Sequence, residues 1–181
     1  MKSVDYEIEL SLMQLRARKR RRRLIAGLLL WCLVLWILFH QIFGISVVDG
    51  NSMRPAFYAG DLVIYQRGIP KELSIGEVVI IHSWLDRDKD YIKRIAGLSG
   101  DIVDVDENGY FIRNGEPVKE NEVIHGYQQS DSDITYPYRI PEQEYFCLGD
   151  NRPVSLDSRA FGPLKEEQIL GKVIAVLRFG I

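Results

Sequence analysis

The feature that most constrains this chain is an apolar run of twenty residues, 24–43, which contains no Asp, Glu, Lys or Arg. A helix of that length is about 30 Å long, which matches the hydrocarbon core of a bilayer. A buried core helix is the alternative, but the 138 residues after the run are too few to cover a helix that is apolar on every side. A cleavable leader is also disfavoured, because the run is long and no Ala-x-Ala sequence precedes a cut site. The run therefore predicts a transmembrane helix over residues 24–43 that stays on the chain.

The charges on either side of the run predict its orientation. Residues 1–23 hold eight Lys or Arg against three acids, whereas the rest of the chain holds 15 basic and 22 acidic residues. Because basic residues beside a span stay in the cytoplasm, we expect a basic cytoplasmic tail over residues 1–23 and an extracytoplasmic domain over residues 44–181. An arginine run can also bind nucleic acid, but its position against the span favours anionic lipid. The lipid bilayer is therefore the expected partner, and nucleic acid is not.

Residues 44–181 predict one mainly β domain. Seven runs are rich in β-branched and aromatic residues, at positions 61–65, 77–81, 91–92, 101–105, 110–112, 144–148 and 172–177. Asn108-Gly109 between two of these runs is a strong hairpin signal, and Asn114-Gly115 follows closely enough to suggest a meander. Strands at this spacing predict a folded-over antiparallel β-barrel or sandwich. Helix is expected outside the span only at residues 4–15 and in a short turn near residues 165–169.

The two cysteines argue against a disulfide scaffold. Cys32 falls inside the predicted span and Cys147 in an apolar run of the β domain, so the two are not expected to meet. Cys147 is most simply a small buried side chain. No cluster of His, Cys and carboxylates has the spacing of metal ligands, so we expect neither a metal nor a cofactor.

Two short motifs after the span carry candidate chemistry. They are 50–55 (Gly-Asn-Ser-Met-Arg-Pro) and 91–94 (Tyr-Ile-Lys-Arg). A serine hydroxyl needs a base to take its proton during attack, and the three histidines of the chain stand in no recognisable motif. A lysine can be that base when its pKa falls from about 10.4 to about 7–8, which burial among apolar residues brings about. Lys93 has such neighbours on both sides, so the two motifs together suggest a Ser-Lys pair.

Either motif alone is a weak signal, because a serine before Met-x-Pro is commonly a turn residue and a Lys-Arg pair is commonly a solvated edge. A third block, 149–159 (Gly-Asp-Asn-Arg-Pro-Val-Ser-Leu-Asp-Ser-Arg), changes this interpretation. In this order and after a span, the three blocks resemble those of the bacterial type I signal peptidases. These are membrane-anchored serine endopeptidases that remove signal peptides from exported proteins. The resemblance extends from residue 24 to the end of the chain and includes 60–63 (Gly-Asp-Leu-Val).

The resemblance implies a role for each matching residue. Ser52 would be the nucleophile and Lys93 the general base, Ser155 would orient the lysine, and Asp157 and Arg159 would form a supporting ion pair. Cleavage is expected after Ala-x-Ala sequences in the signal peptides of exported pre-proteins. The substrate pockets would be lined by Val48, Met53, Phe57, Asp90, Tyr91 and Ile92. Some relatives add a side-chain hydroxyl to the oxyanion hole two residues before the nucleophile; here that position is Gly50, so the second oxyanion donor stays open.

Particular residues distinguish the bacterial signal peptidases from related enzymes and from two alternative functions. Position 93 is a lysine, as in the bacterial enzymes that this chain resembles, whereas the endoplasmic-reticulum and archaeal signal peptidases carry histidine at the matching position. The single span and compact domain are similar to the enzymes of Gram-positive bacteria. A self-cleaving repressor would need a helix-turn-helix in place of residues 1–43. A membrane-tethered, non-catalytic β domain that binds an extracellular or pilus-assembly partner would have no need of Ser155, Asp157 and Arg159 at these intervals.

Overall fold

The computed structural model describes residues 2–68, 73–82, 90–119, 123–126 and 134–178. Within its first helix, side chains are described at Met13 and from Arg16 onward. The chain divides into two compact units, Met1–Gln41 and Ile42–Ile181.

The first unit is helical. Helix α1 covers Lys2–Ile42, so the helix predicted at residues 4–15 and the predicted span belong to one element that ends a residue before the apolar run does. Among the described residues, α1 is the one helix whose length and composition suit a membrane crossing, over Arg16–Ile42. Many of its large apolar side chains, among them Leu28, Trp31 and Leu35, are more than half exposed. An exposed apolar helix at this point in the chain is consistent with a single-pass membrane anchor.

The second unit is mainly β, as the sequence predicts, and its strands pair antiparallel in two sheets. In chain order the strands are β1 (Phe43–Val47), β2 (Leu62–Arg67), β3 (Val78–His82), β4 (Asp90–Gly97), β5 (Ile102–Val105), β6 (Phe111–Arg113), β7 (Glu116–Pro117), β8 (Tyr138–Arg139), β9 (Glu144–Leu148), β10 (Leu164–Lys165) and β11 (Ile169–Leu177). One sheet has the order β1-β2-β11-β3-β4-β9-β10 and the other the order β7-β6-β5-β8. All seven predicted strands are present.

The elements that the sequence missed are short or adjoin the span. Strand β1 begins directly after α1, within a segment whose hydrophobicity is equally typical of the end of a membrane helix. Strands β7, β8 and β10 have two residues each, too few for a periodic pattern. A four-residue helix, α2 (Ser158–Phe161), lies within the third block, and the turn expected near residues 165–169 is a 3₁₀ helix at Glu166–Gln168.

Both Asn-Gly pairs form turns. Asn108-Gly109 lies in the connection between β5 and β6, where the Asp106 carboxylate accepts the Tyr110 N–H at 2.7 Å. Asn114-Gly115 is the two-residue loop between β6 and β7, and its φ angles of 54° and 82° are those of a type I′ turn. The predicted meander is therefore confirmed.

Three apolar clusters bury both faces of the larger sheet and join the two sheets. The first contains Val78, Ile80 and Ile92, and the second contains Val79, Ile81 and Ile95, so β3 and β4 are covered on both sides. The third contains Phe111 from the smaller sheet and Phe146 from the larger one. Lys93 alternates with Ile92 along β4 and therefore faces the side of the second cluster, which includes the fully buried and free Cys147.

We predict that the contact between Phe146 and Phe111 is a main source of stability for the β domain. Their rings are nearly parallel with centroids 6.0 Å apart, and both side chains are almost fully buried. Phe146→Ala should lower the free energy of unfolding by about 3–5 kcal/mol, because it leaves a cavity where the sheets meet. Chemical denaturation of the detergent-solubilised chain measures this loss. Ile102→Ala in the exposed face of β5 is the control, and an equal loss there would contradict the prediction.

Candidate active site

Ser52 lies in a tight turn that follows β1. The Arg54 N–H donates to the Asn51 carbonyl at 3.2 Å, and the Phe57 N–H donates to the Met53 carbonyl at 2.9 Å. Met53 and Phe57 are buried in the first apolar cluster. The turn is therefore anchored to the core by its apolar side chains, while Ser52 remains partly accessible.

The third block fixes this turn from the opposite side. The Asn151 N–H donates to the Ser52 carbonyl at 2.9 Å, and the Asn151 side-chain amide donates to the Asn51 carbonyl at 3.1 Å. Gly149 packs closely against the same turn, since a Cβ at that position would lie 2.6 Å from the Ser52 carbonyl oxygen. Only glycine permits this approach.

Strand β4 brings Lys93 to the serine. The Lys93 Nζ donates to the Ser52 Oγ at 3.0 Å and to the Ile92 carbonyl at 3.0 Å. The lysine is 1% exposed, and its Nζ lies 5.4 Å from the centre of the Tyr91 ring. The described histidines are engaged elsewhere: His82 pairs with Asp90, His125 packs on Tyr110 and His40 on Trp36.

Burial lowers the pKa of Lys93 to about 8, because the charged ammonium is poorly solvated there. Asp157, Cys147 and Asp150 oppose this effect and Arg159 adds to it. Both carboxylates are already paired with arginines. Arg159 binds Asp157 at 2.8 and 2.9 Å, and Arg94 binds Asp150 at 2.8 and 2.6 Å. Burial in turn raises the pKa of the Cys147 thiol, so this neighbour is neutral.

The Asp157–Arg159 pair also holds the third block in shape. Asp157 caps α2 and accepts the Gly149 N–H at 3.0 Å. Arg159 donates to the Arg152 carbonyl at 2.7 Å. Since both side chains are buried, the pair links the two ends of the block on which Gly149 and Asn151 lie.

Ser155 meets this arrangement through its backbone, since its carbonyl accepts a hydrogen bond from Arg159 at 3.4 Å, whereas its hydroxyl has no such contact. Its Oγ is buried and makes no hydrogen bond within the described part of the chain. It lies against Gly149, where a Cβ would be 2.1 Å from the Ser155 Oγ. The hydrogen bond expected between Ser155 and Lys93 is thus not formed in this structure, and the orienting role of Ser155 stays a prediction.

Ser52 and Lys93 open onto a cavity of about 430 Å³. Its wall is formed by Asp49, Gly50, Asn51, Ser52, Arg54, Tyr91, Lys93, Asn151, Val154 and Leu156. Tyr91 is the member of the predicted substrate-binding set in this wall. Of the other members, Val48, Met53, Phe57 and Ile92 belong to the first core cluster, and the Asp90 carboxylate lies 3.3 Å from the His82 Nδ1. Their part in substrate binding stays a prediction.

This geometry suits nucleophilic attack by a serine with a neutral lysine as its base. The Oγ–Nζ distance allows direct proton transfer, and a lysine with a pKa of about 8 is substantially neutral near that pH. The Ser52 N–H donates to no acceptor in the described residues, so it is available to an oxyanion. Among those residues there is no group of three His, Cys, Asp or Glu that could hold a metal ion.

Comparison with known proteins identifies the family. A family model described as signal peptidase, peptidase S26, matches residues 21–178. The chain belongs to the S26 signal peptidase family. Signal peptidase IB of Staphylococcus aureus (strain COL) is 35% identical over 144 residues, and the match covers 70% of this chain and 73% of that protein. Signal peptidase I of Bacillus caldolyticus is 33% identical over 147 residues, and the match covers 73% of this chain and 78% of that protein.

A solved structure of a signal peptidase I from Enterococcus faecalis V583 is also similar. It has a TM-score of 0.47 and 28% sequence identity, and the match covers 59% of this chain and all of that one. The S26 family assignment rests on the family model and the two sequence relatives.

Sequence reasoning about the S26 blocks overlooked two residues of the site. Asn151 and Gly149 fall inside the third block but received no role, although both contact the turn that carries Ser52. The available signal was their place in the third block, which the sequence analysis singled out as a whole. The contacts themselves join segments about 100 residues apart, so no local pattern encodes them.

We predict that Lys93 lowers the stability of the fold at neutral pH. The folded state releases the lysine proton near pH 8 and the unfolded state near pH 10.5, so the unfolded state binds more protons between these values and stability rises with pH there. At about 1.4 kcal/mol per pH unit the full effect is about 3 kcal/mol. Lys93→Met should therefore raise the free energy of unfolding at pH 7 by up to about 3 kcal/mol, and this advantage should shrink between pH 8 and 10.5.

Denaturant titrations of wild type and variant across this pH range measure the difference. Lys165→Met, at an exposed position of β10, is the control and should leave the pH profile unchanged. A difference between wild type and Lys93→Met that stays constant with pH would contradict the prediction.

Proposed function

We propose that this chain is a membrane-anchored serine endopeptidase that removes the N-terminal signal peptides of exported pre-proteins. The observation that carries the proposal is the hydrogen bond of 3.0 Å between the Ser52 Oγ and the buried Lys93 Nζ, in a member of the signal peptidase family. Its relatives from S. aureus and B. caldolyticus are themselves named signal peptidases.

In the acylation step we assign Ser52 as nucleophile and Lys93 as general base. The Ser52 Oγ forms a bond to the carbonyl carbon of the residue before the cut, while Lys93 accepts the hydroxyl proton. The negative charge moves to the carbonyl oxygen, where the Ser52 N–H stabilises it. The C–N bond then breaks as the Lys93 ammonium returns the proton to the leaving amine. The products are an acyl-enzyme and the new N-terminus of the exported protein.

Deacylation uses the same groups. Lys93 takes a proton from water, the water oxygen attacks the ester carbonyl, and the proton passes to the Ser52 Oγ as the C–O bond breaks. The signal peptide leaves with a free carboxylate. Asp157 and Arg159 support this cycle by keeping the third block in place, and each takes part only through other residues.

We further propose that the enzyme prefers small residues one and three positions before the cut, as in Ala-x-Ala. This preference is carried over from the family. The pocket for the residue one position before the cut would be lined by Met53, Phe57, Tyr91 and Ile92. The pocket for the residue three positions before the cut would lie near Val48 and Asp90. The position of Tyr91 in the cavity wall supports its part in this set. The burial of Met53 beside the nucleophile is compatible with a pocket floor that a small side chain would contact.

The proposed location is the bacterial cell membrane, with one span, the N-terminus in the cytoplasm and the catalytic domain outside. Helix α1 supports the span, and the excess of arginine before its apolar part supports the orientation. The substrates and the lipid bilayer are the proposed partners. Under this proposal the division of the chain is a tail over residues 1–23, a span over 24–43 and a catalytic domain over 44–181.

A non-catalytic binding domain is not favoured. A fully buried lysine without a carboxylate partner of its own is unfavourable for folding, and a binding surface gains nothing from it. Activation of a serine nucleophile does need a base, and a buried lysine that loses its charge can be that base.

The direct test is cleavage of a pre-protein with an Ala-x-Ala junction by the detergent-solubilised enzyme. Wild type should cut once, directly after the second alanine, as shown by sequencing of the new N-terminus. Ser52→Ala and Lys93→Ala should be inactive, and Lys93→Arg should be inactive as well because a guanidinium stays charged at accessible pH. Each loss should be at least about 10³-fold, the scale on which catalytic residues of serine proteases act together.

Matched controls are Ser74→Ala and Lys165→Arg, both at exposed positions. They should retain wild-type rates. Undiminished cleavage by folded Ser52→Ala would reject the proposed nucleophile, and a folded wild type that leaves the pre-protein intact would reject this substrate class.

A second prediction concerns pH. Because Lys93 must be neutral to accept a proton, kcat/KM should rise about tenfold per pH unit below pH 8 and level off above it. Initial rates at subsaturating substrate between pH 5.5 and about 10 measure this profile. An optimum below neutrality would exclude a lysine base.

A further inference from the structure

The oxyanion hole of this chain lacks one obvious donor. The Ser52 N–H can supply one hydrogen bond to the developing negative charge, and position 50 is a glycine that has no side chain to supply another. Oxyanion holes in acyl transfer are built from backbone N–H groups, side-chain donors or both. Here a side-chain donor would have to come from another residue that faces the cavity.

Four side chains of the described cavity wall, apart from Ser52 and Lys93, carry N–H or O–H donors: Asn51, Arg54, Tyr91 and Asn151. The Asn151 amide already donates to the Asn51 carbonyl at 3.1 Å. The Arg54 guanidinium is held over the ring of Tyr58, 5.1 Å from its centre. Tyr91 lies along the lysine, with its ring centre 5.4 Å from the Lys93 Nζ. Asn51 remains, and its carboxamide makes no hydrogen bond within the described residues.

The backbone of Asn51 is well fixed for this task. Its carbonyl accepts hydrogen bonds from the Arg54 N–H at 3.2 Å and from the Asn151 amide at 3.1 Å. Its Cα is about 3.8 Å from that of the nucleophile, as for any pair of neighbours in a trans chain. Asn51 thus offers an exposed carboxamide on a fixed backbone, in the wall of the same cavity as Ser52 and next to it in the chain.

We infer that the Asn51 side-chain amide is the second oxyanion-hole donor of this enzyme. The inference rests on the proposed function. A neutral amide suits the position, because it stabilises the oxyanion without placing a second positive charge beside Lys93, which would lower the pKa of the lysine further. Asn51 thus acts on the reacting oxygen, while Lys93 acts on the proton.

The test is the steady-state kinetics of Asn51→Ala in the full-length enzyme. The variant keeps the Asn51 backbone carbonyl, so both hydrogen bonds that fix the turn are retained. We expect kcat to fall about 10²-fold with KM unchanged, because an oxyanion donor acts in the transition state. The pH profile of kcat/KM should keep the shape of the wild type, since Lys93 is untouched. Affinity for a peptide boronic acid ending in Ala-x-Ala, whose adduct on Ser52 resembles the tetrahedral intermediate, should fall in parallel with kcat.

Asn51→Asp serves as the near-isosteric variant. It keeps the shape of the side chain but replaces the N–H donor by a carboxylate, so the loss in kcat should be at least as large as in Asn51→Ala. It also keeps the test open if Asn51→Ala does not fold. Asn108→Ala, in the exposed turn between β5 and β6, is the matched control and should behave as wild type.

Three results would overturn the inference. The first is a kcat within twofold of wild type for folded Asn51→Asp. The second is an Asn51 variant in which KM rises while kcat is unchanged. The third is a drop in kcat of about the expected size in Tyr91→Phe, with no drop in the Asn51 variants. All three can occur while Ser52→Ala and Lys93→Ala are inactive and wild type cuts at the expected bond. Failure of this inference is therefore distinct from failure of the proposed function.

Discussion

The removal of water from the Lys93 ammonium is the constraint on which the rest of this domain depends. In the proposed mechanism Lys93 takes a proton from Ser52, which a charged lysine of ordinary pKa could not do. The fold meets this requirement by placing Lys93 on β4, an inner strand of the larger sheet with apolar clusters on both faces. It also supplies each nearby carboxylate with an arginine, so Asp150 and Asp157 do less to restore the charge of the lysine.

Adjacent residues of β4 show how one strand separates two kinds of basic side chain. Arg94 points away from Lys93 and binds the Asp150 carboxylate and the Gly76 carbonyl. Its charge is satisfied by acceptors and holds the third block to the sheet. Lys93 has one hydroxyl and one carbonyl as acceptors and no carboxylate of its own. Because side chains alternate between the two faces of β4, Arg94 forms a structural ion pair on one face, while Lys93 on the other face has no such pair and can lose its proton.

The sequence predicts those parts of the structure that local patterns encode. An unbroken apolar run, β-branched runs and two Asn-Gly pairs are enough for the helix, seven strands and the meander. Local patterns do not encode which side chain meets which across the fold. The meeting of Val48, Met53, Phe57 and Ile92 in one core cluster, and the packing of Ser155 on Gly149 without a bond to Lys93, are of this kind. Helix α2 was missed because it has four residues and depends on the Asp157 cap.

The bond between Asn51 and Asn151 joins segments that are 100 residues apart in the chain. A polypeptide made from its N-terminus therefore presents its serine and its lysine long before the segment that fixes them has been synthesised. Until residues 149–159 have folded against the turn, Ser52 lacks its clamp and Asp157 and Arg159 have yet to form their pair. The order of synthesis thus means that the turn carrying Ser52 can be fixed only after the third block has been made.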